Sequence, residues 1–146
     1  PLRSHADREA ITQGLLDGTI DAICSDHTPV DDDEKLLPFG EASPGATGLE
    51  LLLPLTLKWA MEHCNGPDML SQAIARITAE PARILKLPCG RIDIGEAADI
   101  CVFDPSARWT VTASELASQG KHTPFLGKEI PGRVRMTLIG DKHLLP

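Results

Sequence analysis

The sequence lacks an apolar run long enough to cross a membrane. A membrane-spanning helix needs ~20 predominantly apolar residues, and the longest apolar stretch, residues 49–57, is interrupted by Glu50 and Pro54. The first residues also lack the positively charged and then apolar pattern of a secretory signal. We therefore expect a cytoplasmic protein that does not bind a membrane.

Cysteine and positive charge are both scarce. Cys24, Cys64, Cys89 and Cys101 form no Cys-x-x-Cys pair, so neither a zinc knuckle nor a disulfide framework is indicated, and we expect reduced, buried thiols. The 14 Lys and Arg residues are scattered among 21 Asp and Glu residues, and the formal net charge is −7. Because binding to nucleic acid requires clustered basic side chains, we expect no nucleic-acid partner.

The first half of the chain predicts helices. Hydrophobic residues make up 42% of the 146 residues, which is enough for a sizeable core. Ser4 is a suitable N-cap for a helix that Gly18 ends, Pro54 kinks a second helix or resets its start, and Thr78 caps the last one. The predicted helices lie between Ser4 and Gly18 and over residues 48–63, 68–77 and 80–85.

One strand is predicted early, at residues 20–24, and the last third of the chain is predicted to be β-rich. The early strand is mostly apolar, which suits a parallel strand buried on both faces. The later runs are shorter and alternate, or are apolar, between turn residues. They lie at residues 91–95, 98–104, 133–139 and 142–145, with a turn at Gly140-Asp141.

Residues 28–47 are predicted to form a long loop. This segment holds three Pro, two Gly and the acidic run Asp31-Asp32-Asp33-Glu34. The acidic run lacks the spacing and the central Gly of a calcium loop, so we interpret it as a solvated face. A loop of about 20 residues inside a compact domain usually serves a site.

Asp26 is the main candidate for a functional residue. It comes just after the predicted strand at residues 20–24, which is where barrel enzymes present catalytic groups. A carboxylate there can bind a metal or move a proton. The alternative is an ordinary turn cap, and the residues alone leave both interpretations open.

Several short motifs follow one another along the chain. They are Pro1-Leu2-Arg3-Ser4, Asp26-His27-Thr28-Pro29, residues 41–50, Gly90 and Gly95 with Ala98-Asp99-Ile100, and Thr123-Pro124-Phe125-Leu126-Gly127 with Gly132-Arg133-Val134. In this order they resemble class I dihydroorotases of the metal-dependent amidohydrolase superfamily. Allantoinases and hydantoinases share the Asp-His motif, but the first and last motifs favour dihydroorotase. One helix, one strand, more helices and a β-rich end resemble the C-terminal third of such an enzyme.

The resemblance implies an α/β fold. Residues 1–88 would be the C-terminal part of a distorted (β/α)8 barrel, and residues 89–146 would be strands of a β-sandwich domain. It also implies a zinc-dependent cyclic amide hydrolase, a homo-oligomer, that interconverts the small molecules dihydroorotate and N-carbamoylaspartate in pyrimidine biosynthesis. One or two zinc ions are expected, with the other ligands upstream of this chain, so the 146 residues alone are expected to be inactive.

The resemblance also implies roles for individual residues. Asp26 would be a metal ligand and the catalytic acid and base, which takes a proton from the attacking hydroxide and passes it to the leaving nitrogen. Pro44 and Gly45 fall where the family's second loop offers backbone groups to the substrate, and Gly45 would allow close approach; the alternative is an ordinary Pro-Gly turn. His27 is expected to support or pack beside Asp26 rather than to bind the metal.

Two positions depart from the family's pattern. Val30 stands where active members usually carry a His that helps to hold the substrate carboxylate, and Val cannot replace a charge-assisted hydrogen bond of ~1.5 to 3 kcal/mol. Pro44 stands where Phe is common. The departures resemble those of dihydroorotase-like chains that have lost activity and serve as partners of aspartate transcarbamoylase. Such an inactive scaffold is therefore the alternative hypothesis, and an allantoinase-type or hydantoinase-type enzyme is a further one.

Overall fold

The computed structural model describes residues 3–140 and 142–145. A 3₁₀ turn, Leu49–Leu51, leads directly into the helix Leu52–His63. Within the described residues, no helix is long and apolar enough to cross a membrane. Pro1 and Leu2 of the first motif, and Asp141 of the predicted turn, lie outside the described residues. The elements are α1 (His5–Asp17), α2 (Asp32–Lys35), α3 (Leu52–His63), α4 (Met69–Ala75), α5 (Ala79–Leu85), β1 (Ile100–Thr110), β2 (Glu129–Ile139) and β3 (Lys142–Leu144).

Helix α1 begins and ends as predicted. The backbone N–H of Asp7 donates to the Ser4 hydroxyl at 3.2 Å, and the Asp7 carboxylate accepts from the backbone N–H of Ser4 at 3.0 Å. This reciprocal pair satisfies donors that a helix start leaves unpaired. Gly18 ends the helix with φ of 83°, a left-handed conformation that glycine adopts without strain.

Helix α3 lies at the centre of the described structure. Of the two roles predicted for Pro54, a kink or a reset helix start, the structure shows the second, because Pro54 lies in the first turn, where a missing backbone N–H removes no intrahelical hydrogen bond. One core cluster joins the start of this helix to the sheet; it contains Leu51, Val111, Leu116 and Ile130, with Leu55, Trp109 and Phe125 against it. A second cluster joins α3 to α4 through Ala60, Cys64 and Ala73. The first cluster draws residues from both sides of the boundary predicted at residue 88, which stays a prediction.

The strands form one antiparallel sheet in the order β1-β2-β3. Strand β1 is longer than the predicted run, because it continues past Asp104 through an irregularity that includes Pro105. The Asp104 carboxylate accepts hydrogen bonds from the backbone N–H groups of Ser106 and Ala107 at 3.0 and 3.1 Å. Hydrogen bonds from Ser106 and Arg135 lower the pKa of Asp104 to about 2. The strand predicted at residues 91–95 is wrong, since the chain forms turns and bends there.

The strand predicted at residues 20–24 is also wrong. A strand requires a hydrogen-bonded neighbour, and no described residue pairs with this segment in a sheet. Instead, the Ile23 N–H donates to the carbonyl of Arg76 at 3.0 Å, and the Arg76 guanidinium donates to the carbonyls of Leu15 and Asp21. The segment lines an open, largely apolar cavity of about 550 Å³ between α1 and α3.

Three smaller predictions need correction. The loop at residues 28–47 contains the four-residue helix α2, although the acids Asp31 to Glu34 are exposed as predicted. Thr78 precedes α5 as predicted, but its hydroxyl donates backwards to the carbonyl of Ile74 and does not cap α5. The cysteines are free as predicted, but of the four only Cys64 is buried.

Candidate functional site

Asp26 lies on an exposed loop in an uncommon backbone conformation. Its φ is 47°, in the left-handed region that aspartate tolerates better than most residues but that still costs free energy. Its side chain is exposed, and its carboxylate makes no hydrogen bond or ion pair with the residues that the structure describes. A strained residue with a free carboxylate is typical of a functional position.

Both neighbours of Asp26 contact Gly48. A Cβ atom on Gly48 would lie 2.7 Å from the carbonyl oxygen of Ser25, so only glycine fits there without a shift. On the other side, Nδ1 of His27 accepts hydrogen bonds from the backbone N–H groups of Gly48 and Leu49, each at 3.1 Å. His27 is therefore hydrogen-bonded to the start of the 3₁₀ turn before α3, and Ser25 lies in close contact with it.

The loop that contains Pro44 and Gly45, called the second loop below, packs directly against the loop that contains Asp26, the first loop. The Thr28 N–H donates to the carbonyl of Ala46 at 3.0 Å. Gly45 has φ of 133°, and a Cβ atom there would lie 2.5 Å from the carbonyl oxygen of Thr28 and 2.9 Å from Cγ2 of Val30. Gly45 thus permits the close approach of the Asp26 loop in this structure, while its close approach to a substrate stays a prediction. Pro44 is exposed beside it.

Lys35 fixes the ends of the second loop. Its ammonium group donates to the carbonyl of Ser43 at 2.6 Å and to the carbonyl of Gly45 at 2.7 Å, and both bonds are partly buried. Because these carbonyls lie on either side of Pro44, the lysine holds the Pro44 peptide between two fixed points. The short helix α2, which contains Lys35, therefore positions the side chain that holds this loop.

A third segment, residues 117–122, joins the two loops. The buried Thr47 hydroxyl donates to the carbonyl of Gly120 at 2.5 Å, and the Thr47 N–H donates to the carbonyl of His122 at 2.8 Å. A Cβ atom on Gly120 would lie 2.8 Å from the carbonyl oxygen of Val30. A polar cavity of about 220 Å³ opens between the first and third segments, lined by residues that include His27, Val30 and Gln119.

Glu50 secures the third segment to the start of α3. Its carboxylate accepts from the backbone N–H groups of Ala117 and Ser118 at 2.6 and 3.0 Å. Burial acts to raise the pKa of Glu50, but the hydrogen bonds from Ser118 and Ala117 and the positive charge of Lys121 outweigh burial and lower the pKa below its ordinary value. Glu50 is therefore ionised at neutral pH and holds the segment by charge-assisted hydrogen bonds.

The structure brings the predicted site residues onto adjacent loops. Gly45 contacts Thr28 and Val30, which follow Asp26 by two and four residues; the catalytic and binding roles of Asp26, Pro44 and Gly45 stay predictions. Sequence reasoning missed the linking roles of Thr47 and Glu50, although both lie within the motif at residues 41–50. It also missed Gly120, for which the sequence holds no signal, since its partners are distant along the chain.

The chemistry of Asp26 fits one ligand of a zinc site. A carboxylate oxygen is a ligand that zinc accepts, and that of Asp26 is exposed and unengaged by described residues. Zinc in proteins takes three or four protein ligands, and the described residues hold no group of three or more His, Cys, Asp or Glu side chains placed for a metal ion. A zinc site at Asp26 would therefore need further ligands.

The sequence has clear relatives. The model of a protein family described as "Amidohydrolase family" matches residues 2–142 of the chain. A dihydroorotase of Trichlorobacter lovleyi is 46% identical over 142 residues, which are 97% of this chain and 33% of that protein. A dihydroorotase-like protein of Pseudomonas aeruginosa is 42% identical over 144 residues, which are 99% of this chain and 33% of that protein. The chain spans about a third of the length of these relatives.

The fold also has solved counterparts. A D-hydantoinase (dihydropyrimidinase) from Thermus sp. matches with a TM-score of 0.86 at 25% identity, over 99% of this chain and 32% of that one. The predicted fold class is confirmed: the chain is α/β, the C-terminal part of a distorted (β/α)8 barrel followed by an antiparallel sheet.

Proposed function

Since this chain belongs to the amidohydrolase family, as its motifs predicted, we propose that it forms part of a cyclic amide hydrolase that interconverts dihydroorotate and N-carbamoylaspartate. The observation that carries the proposal is the exposed carboxylate of Asp26, which pairs with none of the described residues and belongs to a residue in a left-handed conformation at the junction of two loops. The dihydroorotase of T. lovleyi, which is 46% identical, supports this substrate. A cytoplasmic homo-oligomer that acts in pyrimidine biosynthesis follows as part of the same proposal.

Asp26 supplies the proton transfers of the proposed reaction. In the ring-opening direction, a water oxygen attacks the amide carbon, the carbon–nitrogen bond breaks, and the leaving nitrogen takes up a proton. The carboxylate of Asp26 accepts the proton that the attacking water loses and delivers it to that nitrogen. Pro44 and Gly45 offer backbone groups to the substrate ring from the adjacent loop.

Zinc completes the proposed site. One or two ions, when bound, lower the pKa of a bound water, so that hydroxide is available near neutral pH. Asp26 would hold the metal through its carboxylate, and ligands beyond the described residues would complete the site. For that reason the 146 residues alone are expected to lack activity, and tight stoichiometric zinc binding by this chain by itself would contradict the proposal.

A catalytically inactive partner of aspartate transcarbamoylase is the second candidate function. The observation that favours it is Val30, whose half-buried side chain offers no polar group to a substrate. Its Cγ2 lies 2.9 Å from the place that a Cβ atom on Gly45 would take. The 42% identity to a protein named dihydroorotase-like agrees with this alternative. An allantoinase-type or hydantoinase-type substrate remains the third candidate, supported by the structural likeness to a D-hydantoinase.

Turnover by the full-length protein tests these proposals. With zinc present, we expect loss of dihydroorotate and formation of N-carbamoylaspartate by chromatography, with hydantoin, dihydrouracil and allantoin assayed in parallel. Asp26→Ala is expected to abolish turnover, whereas Asp33→Ala removes an exposed acid of α2 and serves as the matched control. If the protein turns over none of these compounds, the enzyme proposal fails and the inactive scaffold is favoured. Co-purification with aspartate transcarbamoylase would then support the scaffold. An active Asp26→Ala variant would refute the role of Asp26.

A further inference from the structure

We propose that His27 is a positioning residue that holds Asp26 in its left-handed conformation by accepting two backbone hydrogen bonds at Nδ1. The inference goes beyond the proposed function, and it rests on that function only for its activity measurement. It concerns the way in which the chain orients the Asp26 carboxylate, for which the sequence predicted no more than packing or support by His27.

The geometry defines the state of the His27 ring. Gly48 and Leu49 both direct their backbone N–H groups at the same nitrogen, Nδ1, at 3.1 Å. A ring nitrogen that accepts a hydrogen bond must carry a lone pair, so the ring proton lies on Nε2. Consecutive N–H groups at the start of a helical segment otherwise lack partners, so one histidine nitrogen satisfies two of them.

The position of this bond explains how Asp26 keeps its conformation. A left-handed φ of 47° is unfavourable for a residue with a Cβ atom and persists only where the surroundings impose it. On one side of Asp26, the carbonyl oxygen of Ser25 lies 2.7 Å from the place that a Cβ atom on Gly48 would take; on the other side, the His27 ring accepts from the N–H of the same glycine. Because both flanking residues lie close to Gly48, the chain turns at Asp26. Of these two contacts only the one with His27 is a hydrogen bond, so loss of the His27 acceptor removes it.

Three substitutions distinguish an acceptor from a space-filling side chain. In His27→Asn, the amide oxygen is attached to Cγ, as Nδ1 is, so it can accept from the same N–H groups. In His27→Gln, the oxygen lies one bond further along, where it corresponds to Nε2, and His27→Leu has no acceptor. We expect kcat to fall by about 10²-fold in the Leu and Gln variants with little change in KM, because misplacement of a reacting group by about 1 Å costs that much. His27→Asn is expected to restore most of the activity.

Hydrogen exchange supplies a measurement that does not depend on activity. In the full-length protein, amide exchange of Gly48 and Leu49 is expected to accelerate in His27→Leu and His27→Gln but not in His27→Asn. His5→Leu serves as the matched control, because His5 is an exposed histidine at the start of α1, far along the chain from this bond. Thermal unfolding of each variant verifies that it folds.

The outcomes separate the inference from the proposed function. Equal activity and equal exchange in His27→Leu and the wild type would overturn the inference, as would a Gln variant that is as active as the Asn variant. If the wild-type protein turns over no substrate, the proposed function fails, and a crystal structure of His27→Leu then tests the inference alone. A φ at Asp26 that stays near 47° in that variant would overturn it.

Discussion

The contact between Gly48 and Ser25 can be tested by adding a single methyl group. Gly48 has φ of −144°, outside the left-handed region that favours glycine, so the test of Gly48→Ala concerns the packing of the new methyl group. The new Cβ would lie 2.7 Å from the Ser25 carbonyl oxygen, whereas ordinary contacts begin at 3.4 Å. Either residue would therefore have to move by about 0.7 Å, the difference between these distances, and Ser25 immediately precedes Asp26.

The size of the effect follows from this shift. Forcing a methyl group into a close-packed site typically costs about 1–3 kcal/mol, and the lower entropy of alanine in the unfolded chain offsets about 0.4–1 kcal/mol of that. From the midpoints of these two ranges we expect a net loss of about 1.3 kcal/mol in the free energy of unfolding. Because the shift reaches the neighbour of Asp26, kcat for dihydroorotate is expected to fall at least about tenfold.

Gly40→Ala is the matched control for Gly48→Ala. Gly40 lies in the loop that precedes Gly48, and a Cβ atom there would meet no described atom within 4 Å. Urea unfolding of both variants, with kcat and KM of the full-length protein, makes the comparison. If Gly48→Ala unfolds at the same urea concentration as Gly40→Ala and retains its kcat, the close contact at Gly48 does not hold the Asp26 loop, and the argument from packing is refuted.

Two further predictions concern the third segment. Thr47→Val leaves the carbonyl of Gly120 without its buried donor and should lower the free energy of unfolding by about 1–3 kcal/mol in urea titrations. Thr47→Ser keeps a hydroxyl and should retain most of the wild-type stability. Equal loss of stability in both variants would contradict a role for the hydroxyl. The pKa of Glu50 is lowered by folding, so its stabilisation is present above its ordinary value of 4.5 and disappears as pH falls through the folded value. Glu50→Gln should therefore unfold at lower urea than the wild type at neutral pH, with a gap that closes in acid; a gap independent of pH would show that the Glu50 charge does not matter.

The local elements were predictable because their determinants are neighbours in the sequence. Helix α1 illustrates this: the Ser4 and Asp7 groups that bond to each other are three residues apart, and Gly18 directly follows the last turn. For Pro54, the missing N–H predicted either a kinked helix or a helix start, and the structure shows the second. The motif around Asp26 was recognisable for the same reason, since it is a short contiguous string of residues.

The strand predicted at residues 20–24 shows where this reasoning stops. Its composition suits a buried parallel strand, but a strand forms only when another segment supplies hydrogen bonds at its edge, and none of the described residues does. The length of β1 was underestimated for a related reason. Strand β2 and the side chain of Asp104 hold β1 in the sheet beyond Pro105. Without knowledge of the partner strand, a proline at this position predicts the end of a strand.

The sequence alone was enough to predict the candidate site residues Asp26, Pro44 and Gly45, and its motifs identified the family to which the chain belongs. How these residues are held depends on contacts between distant parts of the chain. The bond from Thr47 to Gly120 spans 73 residues, and those from Gly48 and Leu49 to His27 span 21 and 22. Contacts over such separations depend on how the whole chain packs, so no local pattern reports them. The conformation of Asp26 is therefore set by a glycine and a histidine nitrogen that meet only in the folded protein.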